Sequence, residues 1–113
     1  MNKRETGSKY EEMAAEFLKK QGCRILEKNY RTRTGEIDLI LMDGRYLVFA
    51  EVKYRKDHRM GTALEAVDRR KQQIIRRVAV EYLHRHQGRA DQPCRFDVIG
   101  ITGDTICHVK NAF

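Results

Sequence analysis

Residues 35–53 place charged side chains inside two apolar strands. The stretch reads GEIDLILMDGRYLVFAEVK, and the side chains in question are Glu36, Asp38, Glu51 and Lys53. Clustered carboxylates repel one another and burial raises their pKa values further, whereas a divalent cation such as Mg²⁺ relieves both effects. A lysine beside that cation would orient a water molecule and offset charge on a phosphate oxygen. The pattern predicts a metal site for phosphate chemistry; the alternative is a half-solvated strand with Glu51–Lys53 as a surface ion pair.

A two-residue turn at Asp43-Gly44 predicts the register of this hairpin. One face then carries the charged side chains, with Glu36 opposite Glu51 and Asp38 opposite Phe49. Asp38 and Glu51 become diagonal neighbours, roughly 7–8 Å apart at the backbone, so that their oxygens converge on one ion. The other face is apolar and consists of Ile37, Leu39, Leu41, Tyr46, Val48 and Ala50.

The flanking sequence predicts the elements that position the hairpin. Apolar residues at helical spacing indicate a helix over 9–21, with Ser8 and Glu11 as a capping box and Gly22 as its stop. A strand in 23–33 precedes the hairpin, and a second helix over 69–86 starts after Asp68 as its cap. Strands in 95–102 and 105–113 follow. The order αβββαββ predicts an α/β fold with a central mixed β-sheet flanked by helices, because the strand–helix–strand connection favours a parallel crossover.

Composition narrows the class of protein. The 113 residues predict a single domain over 1–113, and the net charge of +7 favours a polyanionic partner such as nucleic acid over a basic protein without one. The three cysteines lack C-x-x-C spacing, which argues against a disulfide framework or a structural zinc site. No apolar run approaches the roughly 20 residues of a membrane span, and the start lacks the apolar stretch of a signal peptide. We therefore expect a cytoplasmic protein with no membrane partner.

The sequence resembles a known family at these same residues. It is similar to the PD-(D/E)XK nuclease superfamily, whose core is a helix, three strands, a helix and further strands around a metal site. It resembles more closely the YraN-like family of small bacterial proteins, regarded as predicted endonucleases akin to archaeal Holliday junction resolvases. The match covers nearly the whole chain, and its most specific part is GEID at 35–38 followed by EVK at 51–53. Further matches are Glu11, Gly22, Asn29, Gly61, Lys71, RFDVI at 95–99 and the terminal AF.

The resemblance implies a restriction-endonuclease-like core and a role for individual residues. Asp38 matches the acidic residue of the superfamily's second strand, and Glu51 and Lys53 match its E-x-K, so these three would be catalytic. The metal, Mg²⁺ or Mn²⁺, would be held by Asp38, Glu51 and the main-chain carbonyl of Val52. Glu11 matches an acidic residue that completes the site in resolvase-like members. Where the superfamily's PD motif has proline, this chain has Ile37.

Several neighbouring residues keep two interpretations each. Glu36 would bind a second cation or position Lys53, or be a hydrogen-bonded acid at a strand edge. Lys71 lies in the first turn of the second helix, where the helix dipole disfavours a cation, so it either meets phosphate or extends along the apolar face to water. Tyr54, directly after Lys53, would narrow the cleft or stack on a base. Asp97 would orient an arginine such as Arg55, or be an ordinary hydrogen-bonded strand residue; no histidine is assigned a role.

Arginines near the hairpin are candidate contacts to a nucleic-acid backbone. Each alone is more typical of a solvated surface, but as a set they would steepen the salt dependence of binding by about one log–log unit per phosphate. They are Arg31, Arg33, Arg55 and Arg59.

These observations lead to an expected function. We expect a divalent-metal-dependent endonuclease that hydrolyses DNA phosphodiester bonds. The resemblance alone implies branched or structured DNA, and a homodimer, since resolvases cut two strands symmetrically. The rival hypothesis is a nucleic-acid-binding protein that keeps the nuclease fold without turnover. A third is a protein-interaction module whose charge is incidental.

Overall fold

The elements follow one another in the predicted order. The computed structural model describes residues 3–55, 67–86 and 91–113. Within these ranges the elements are α1 (Lys3–Lys20), β1 (Arg24–Arg31), β2 (Glu36–Asp43), β3 (Tyr46–Tyr54), α2 (Arg69–Arg85), β4 (Cys94–Thr102) and β5 (Thr105–Val109). The predicted α/β order is confirmed.

The five strands form one mixed sheet in the order β1-β2-β3-β4-β5. Strands β3 and β4 are parallel, whereas the other neighbouring pairs are antiparallel. Helix α2 lies in the connection between β3 and β4, because a parallel pair needs a long crossover rather than a hairpin. The predicted mixed sheet is therefore confirmed.

Each helix covers one face of this sheet. Ala14, Ala15 and Leu18 of α1 are buried against Leu39, Leu41, Val48, Ala50, Ile99 and Ile101. On the opposite face Ile75, Val78, Ala79 and Tyr82 of α2 are buried against Ile37, Ile40, Leu47, Phe49 and Val98. The central strands are thus apolar on both sides, as expected for a sheet covered twice.

This double burial corrects the predicted division of the hairpin into one apolar and one charged face. Leu47 and Phe49 are buried against α2 on the side predicted to be polar. Ile37 lies in the α2 cluster, whereas Leu39 lies in the α1 cluster, so the regular alternation of β2 is broken between them. The charged residues occupy one end of the hairpin instead of a whole face.

The turn of the hairpin also differs from the prediction. Asp43 pairs with Tyr46, so that the two connecting residues are Gly44 and Arg45 rather than Asp43 and Gly44. Gly44 has a φ of 60°, which glycine adopts without strain. The carboxylate of Asp43 accepts a hydrogen bond from Arg95 at 2.8 Å, which ties Asp43 to the sheet. The pairing shifts by two residues, and a shift of two leaves every side chain on its own face.

The helix ends follow from local sequence. Gly22 has a φ of 91°, and the N–H groups of Gly22 and Cys23 donate to the carbonyls of Lys19 and Leu18, which is the Schellman motif. Helix α1 begins at Lys3, so Ser8 lies inside it and the predicted capping box is wrong. The predicted cap of α2 is confirmed, because the Asp68 side chain accepts from the N–H of Lys71 at 2.8 Å.

The thiols of Cys23, Cys94 and Cys107 are free. Within the described ranges, neither helix is long and apolar enough to cross a membrane.

Candidate active site

The candidate site lies where β2 and β3 stop pairing. Their ladder runs from Asp43–Tyr46 to Leu39–Ala50, and continuing it would set Asp38 opposite Glu51 rather than opposite Phe49. The N–H of Val52 instead donates to Oδ2 of the Asp38 side chain, at 2.9 Å. A carboxylate therefore occupies the place of a backbone acceptor, which brings Asp38 into the gap between the two strands.

Val52 contributes its main chain to this gap. Because its N–H is bonded to Asp38, its backbone polar groups face β2 and not β4. In an extended strand the N–H and C=O of one residue point to the same neighbour, so the Val52 carbonyl faces the gap too. This orientation fits the ligand role that the resemblance implies.

Glu51 is the buried acid of the site. The residue is only 1% exposed, and no hydrogen-bond donor among the described residues reaches its Oε1. Its Oε2 lies 3.9 Å from Nζ of Lys53 and 3.9 Å from Nζ of Lys71, beyond hydrogen-bonding distance. A buried carboxylate oxygen without a partner is energetically costly, so Glu51 is poised for a ligand.

Burial raises the affinity of both acids for protons. Burial, followed by the charge of Asp38, raises the pKa of Glu51 to about 8, against the opposing charges of Lys71 and Lys53. Burial also raises the pKa of Asp38, although the Val52 N–H and the two lysines act in the opposite direction. A cation between the carboxylates would replace the protons that this environment favours.

Glu11 approaches the same site from α1. It lies three and four residues before Ala14 and Ala15, so it shares their sheet-facing side of the helix. Burial raises the pKa of Glu11, the Asn29 amide lowers it by hydrogen bonding, and the charges of Asp38 and Glu36 raise it again. Asn29 has a φ of 53°, a conformation in which asparagine is enriched. The structure thus brings Glu11 within electrostatic reach of Asp38.

Glu36 has a partner of its own. Its Oε2 accepts from Arg31 at 3.0 Å, and the two residues lie directly opposite each other on β1 and β2. This pairing favours the interpretation of Glu36 as a strand-edge acid over a second cation ligand. Just before it, Gly35 lets the chain pass under α2, since a Cβ there would overlap the Ile74 side chain.

Lys71 enters the site from the first turn of α2, as predicted. Arg69 and Arg70 precede it, so three cations stand at the positive end of the helix dipole. The Lys71 side chain is 39% exposed while its ammonium faces Glu51. It therefore extends from the buried acid to solvent.

Three of the four arginines predicted to contact a nucleic-acid backbone lie within the described residues. Arg31 is paired with Glu36, and Arg33 is exposed. The Arg55 N–H donates to the carbonyl of Ile101, and its guanidinium donates to the carbonyl of Tyr54 at 3.3 Å. Arg59 lies outside the described residues, as does Gly61.

The sequence predicts only part of a second polar network, which surrounds Asp97. Asp97 is fully buried and accepts from Arg95, from His108 at 2.6 Å and from the N–H of Asn111. Burial alone would raise the pKa of Asp97, but these hydrogen bonds hold it at about 2. The partner is Arg95 and not Arg55; the available signal was the R-x-D spacing, which sets two strand side chains on one face. Through Arg95 the network reaches Asp43, at the far end of β2 from Asp38.

The donor set fits a hard divalent cation. Within the described ranges, no three His, Cys, Asp or Glu side chains form a metal-binding group by themselves. Mg²⁺, however, is commonly bound by one or two carboxylates together with water. Asp38, the unpartnered oxygen of Glu51 and the Val52 carbonyl provide oxygen ligands of that kind.

Sequence comparisons place the chain among related bacterial proteins. A family model described as "Uncharacterised protein family UPF0102" matches residues 10–101. A UPF0102 protein of Nitrosococcus oceani is 41% identical over 97% of this chain and 92% of its own length. One from Alcanivorax borkumensis is 45% identical over 92% of this chain and 83% of its own. One from Shewanella amazonensis is 43% identical over 95% of this chain and 97% of its own.

Proposed function

This chain belongs to the uncharacterised family UPF0102, the YraN-like group that its sequence resembles, and we propose that it is a divalent-metal-dependent endonuclease acting on DNA. The observation that carries the proposal is the buried carboxylate of Glu51, which has an unpartnered oxygen and faces Asp38 across a gap in the sheet. A purely structural acid at this depth would be hydrogen-bonded on both oxygens.

In the proposed mechanism, Asp38, Glu51 and the Val52 carbonyl would hold Mg²⁺ or Mn²⁺, and Glu11 would complete the set. The bound cation would supply charge stabilisation at the scissile phosphate and a lowered pKa for an attacking water. Lys53 orients that water, because its ammonium lies beside Glu51 and a quarter of its side chain is exposed to solvent. Lys71, whose ammonium lies 3.9 Å from the same Glu51 oxygen, binds a non-bridging phosphate oxygen.

The substrate follows from charge and from the resemblance. The net charge of +7 suits a polyanion, and Lys71, one of three cations in the first turn of α2, faces Glu51. We take branched or structured DNA as the substrate, and a homodimer as the acting form, from the resemblance to resolvases. The cytoplasmic location belongs to the same proposal and rests on the unpaired cysteines.

The test is cleavage of labelled four-way-junction, flap and linear DNA with Mn²⁺, Mg²⁺ or EDTA. We expect metal-dependent cleavage by the wild type, and loss of at least 100-fold in Asp38→Asn and Glu51→Gln, which remove metal-binding charge. Glu11→Gln is expected to lose about 10-fold or more. Its matched control is Glu12→Gln, since Glu12 is exposed and paired with Lys28 at 2.6 Å.

The result also separates the rival functions. Residual cleavage that is equal in the wild type and in Asp38→Asn would refute the enzyme proposal. Salt-sensitive DNA binding without cleavage would then indicate the catalytically silent nucleic-acid-binding protein. Binding that does not change with salt concentration would indicate an interaction module instead.

A further inference from the structure

Two tyrosines stack beside the candidate site. The rings of Tyr10 and Tyr54 have centroids 4.3 Å apart and planes inclined by 14°. Tyr10 precedes Glu11 on α1, and Tyr54 follows Lys53 on β3. The pair therefore joins the two elements that carry an acid and a lysine of the site.

The outer ring of this pair faces solvent. Tyr54 is 38% exposed and, with Val80, makes up the exposed large hydrophobic side chains among the described residues. Alternation along β3 sets Tyr54 on the α1 side of the sheet with Val52, next to the gap that Asp38 occupies. Tyr10 fixes the orientation of the Tyr54 ring, so little conformational entropy remains to be lost when a ligand stacks on it.

Cations are the neighbours of both tyrosines along the chain. Lys9 is exposed and precedes Tyr10, and Lys53 and Arg55 flank Tyr54 along the chain. Proteins that bind single-stranded nucleic acid combine aromatic rings, on which bases stack, with cations that bind the phosphates. A base inside a duplex has both faces covered by its neighbours, so only an unpaired base can reach the ring.

We propose that Tyr54, backed by Tyr10, is a stacking platform for an unpaired base next to the phosphate that the site binds. The substrate class is therefore a nucleic acid with unpaired nucleotides at the site, such as a single strand, a flap or a junction with open bases. The inference rests on the proposed function for its choice of nucleic acid as ligand. It specifies which structural feature of that nucleic acid is recognised.

The test measures binding in EDTA, so that it does not depend on cleavage. The probe is a single-stranded oligonucleotide carrying 2-aminopurine, whose fluorescence falls when the base stacks, compared with a duplex of the same sequence. We expect the wild type to bind the single strand more tightly than the duplex and to quench its fluorescence. Tyr54→Leu keeps an apolar side chain without a ring; it should lose the quenching and weaken single-strand binding about 10-fold, with duplex binding unchanged.

Two variants act as controls. Tyr54→Phe keeps the ring and should bind and quench like the wild type, and Val80→Ala alters the other exposed apolar residue without effect. The inference is overturned if Tyr54→Leu, still folded by circular dichroism, binds and quenches like the wild type. It is equally overturned if Tyr54→Phe loses as much as Tyr54→Leu. Metal-dependent cleavage that survives in Tyr54→Leu with an unchanged preference for unpaired DNA would leave the proposed function standing and remove this inference alone.

Discussion

Asp38 and Val52 are joined by a side-chain-to-backbone hydrogen bond of 2.9 Å at the point where β2 and β3 would otherwise continue their ladder. The bond holds the Asp38 carboxylate beside the carbonyl of Val52 and opposite Glu51. One irregularity of pairing thus collects three oxygen-bearing groups at the end of an otherwise apolar hairpin. The break in alternation after Ile37 belongs to the same irregularity.

We predict that Mn²⁺ stabilises the folded protein through this ligand set. A ligand that binds only the folded state raises the free energy of unfolding by about 2.7 kcal/mol at 100 times its Kd. The wild type should therefore melt at a higher temperature in Mn²⁺ than in EDTA, by differential scanning calorimetry. The double variant Asp38→Asn/Glu51→Gln should show no such rise, whereas Asp104→Asn, an exposed acid in the β4–β5 turn, should behave like the wild type. A rise of equal size in the double variant would contradict the proposal that Asp38 and Glu51 bind the metal.

Without metal, we predict that Glu51 makes stability fall as pH rises. Its pKa is about 8 in the folded protein against an ordinary 4.5, so between these values the folded state binds more protons than the unfolded chain. The contribution of Glu51 is thus fully present below pH 4.5 and is lost as pH rises through 8. Glu51→Gln removes this dependence and should be the more stable protein at about pH 8, by on the order of 2–4 kcal/mol.

The measurement is urea unfolding in EDTA at several pH values from about 5 to about 8. The difference between the wild type and Glu51→Gln cancels the titration of the histidines, which both proteins share. A difference that stays constant across this range would mean that Glu51 is ionised in the folded state. In Mn²⁺ the order should reverse at high pH, because the cation takes the place of the proton.

The order of elements could be predicted from the sequence because each element carries its own local signal. Gly22 and Asp68 stop and start the helices through bonds to neighbouring residues, and such signals are visible in sequence. The sequence predicts the hairpin turn one residue too early, because the Asp43-Gly44 and Gly44-Arg45 pairs both contain the glycine that such a turn needs. The bond that ties Asp43 to the sheet comes from Arg95, which is 52 residues away along the chain, so it has no local signal.

The candidate site likewise combines features that have a local signal in the sequence with features that have none. Alternation alone assigns Glu51 and Lys53 to one face of β3, and the ammonium groups of Lys53 and Lys71 both lie 3.9 Å from Oε2 of Glu51. The insertion of Asp38 into the ladder is a departure from alternation, which periodic reasoning cannot predict. The pairing of Glu36 with Arg31 depends on the register between β1 and β2, which includes an irregularity between Ile25 and Glu27.

We predict that Lys71 contributes one phosphate contact to DNA binding. Removing one such contact should lower the slope of log affinity against log salt by about 1, because one fewer counterion is released. Lys71→Ala should show this change by fluorescence anisotropy over a range of salt concentrations in EDTA. Lys19→Ala carries the same change of charge at the far end of α1, where Lys19 is paired with Glu16, and should leave the slope unchanged. Equal slopes for Lys71→Ala and the wild type would assign Lys71 to the structure of α2 alone.

Finally, we predict that Asp97 stabilises the fold without taking part in the site. Its carboxylate is fully buried between Arg95 and His108, so Asp97→Asn removes the more buried of the two carboxylates that pair with Arg95 and should lower the free energy of unfolding by about 3–5 kcal/mol. The double variant Arg95→Met/Asp97→Leu removes both charges and should lose less than Asp97→Asn in urea unfolding. Since the network reaches Asp43 and not Asp38, the Mn²⁺-induced rise in melting temperature should persist in the folded variants. Loss of that rise in both would show that the two ends of β2 act as one unit.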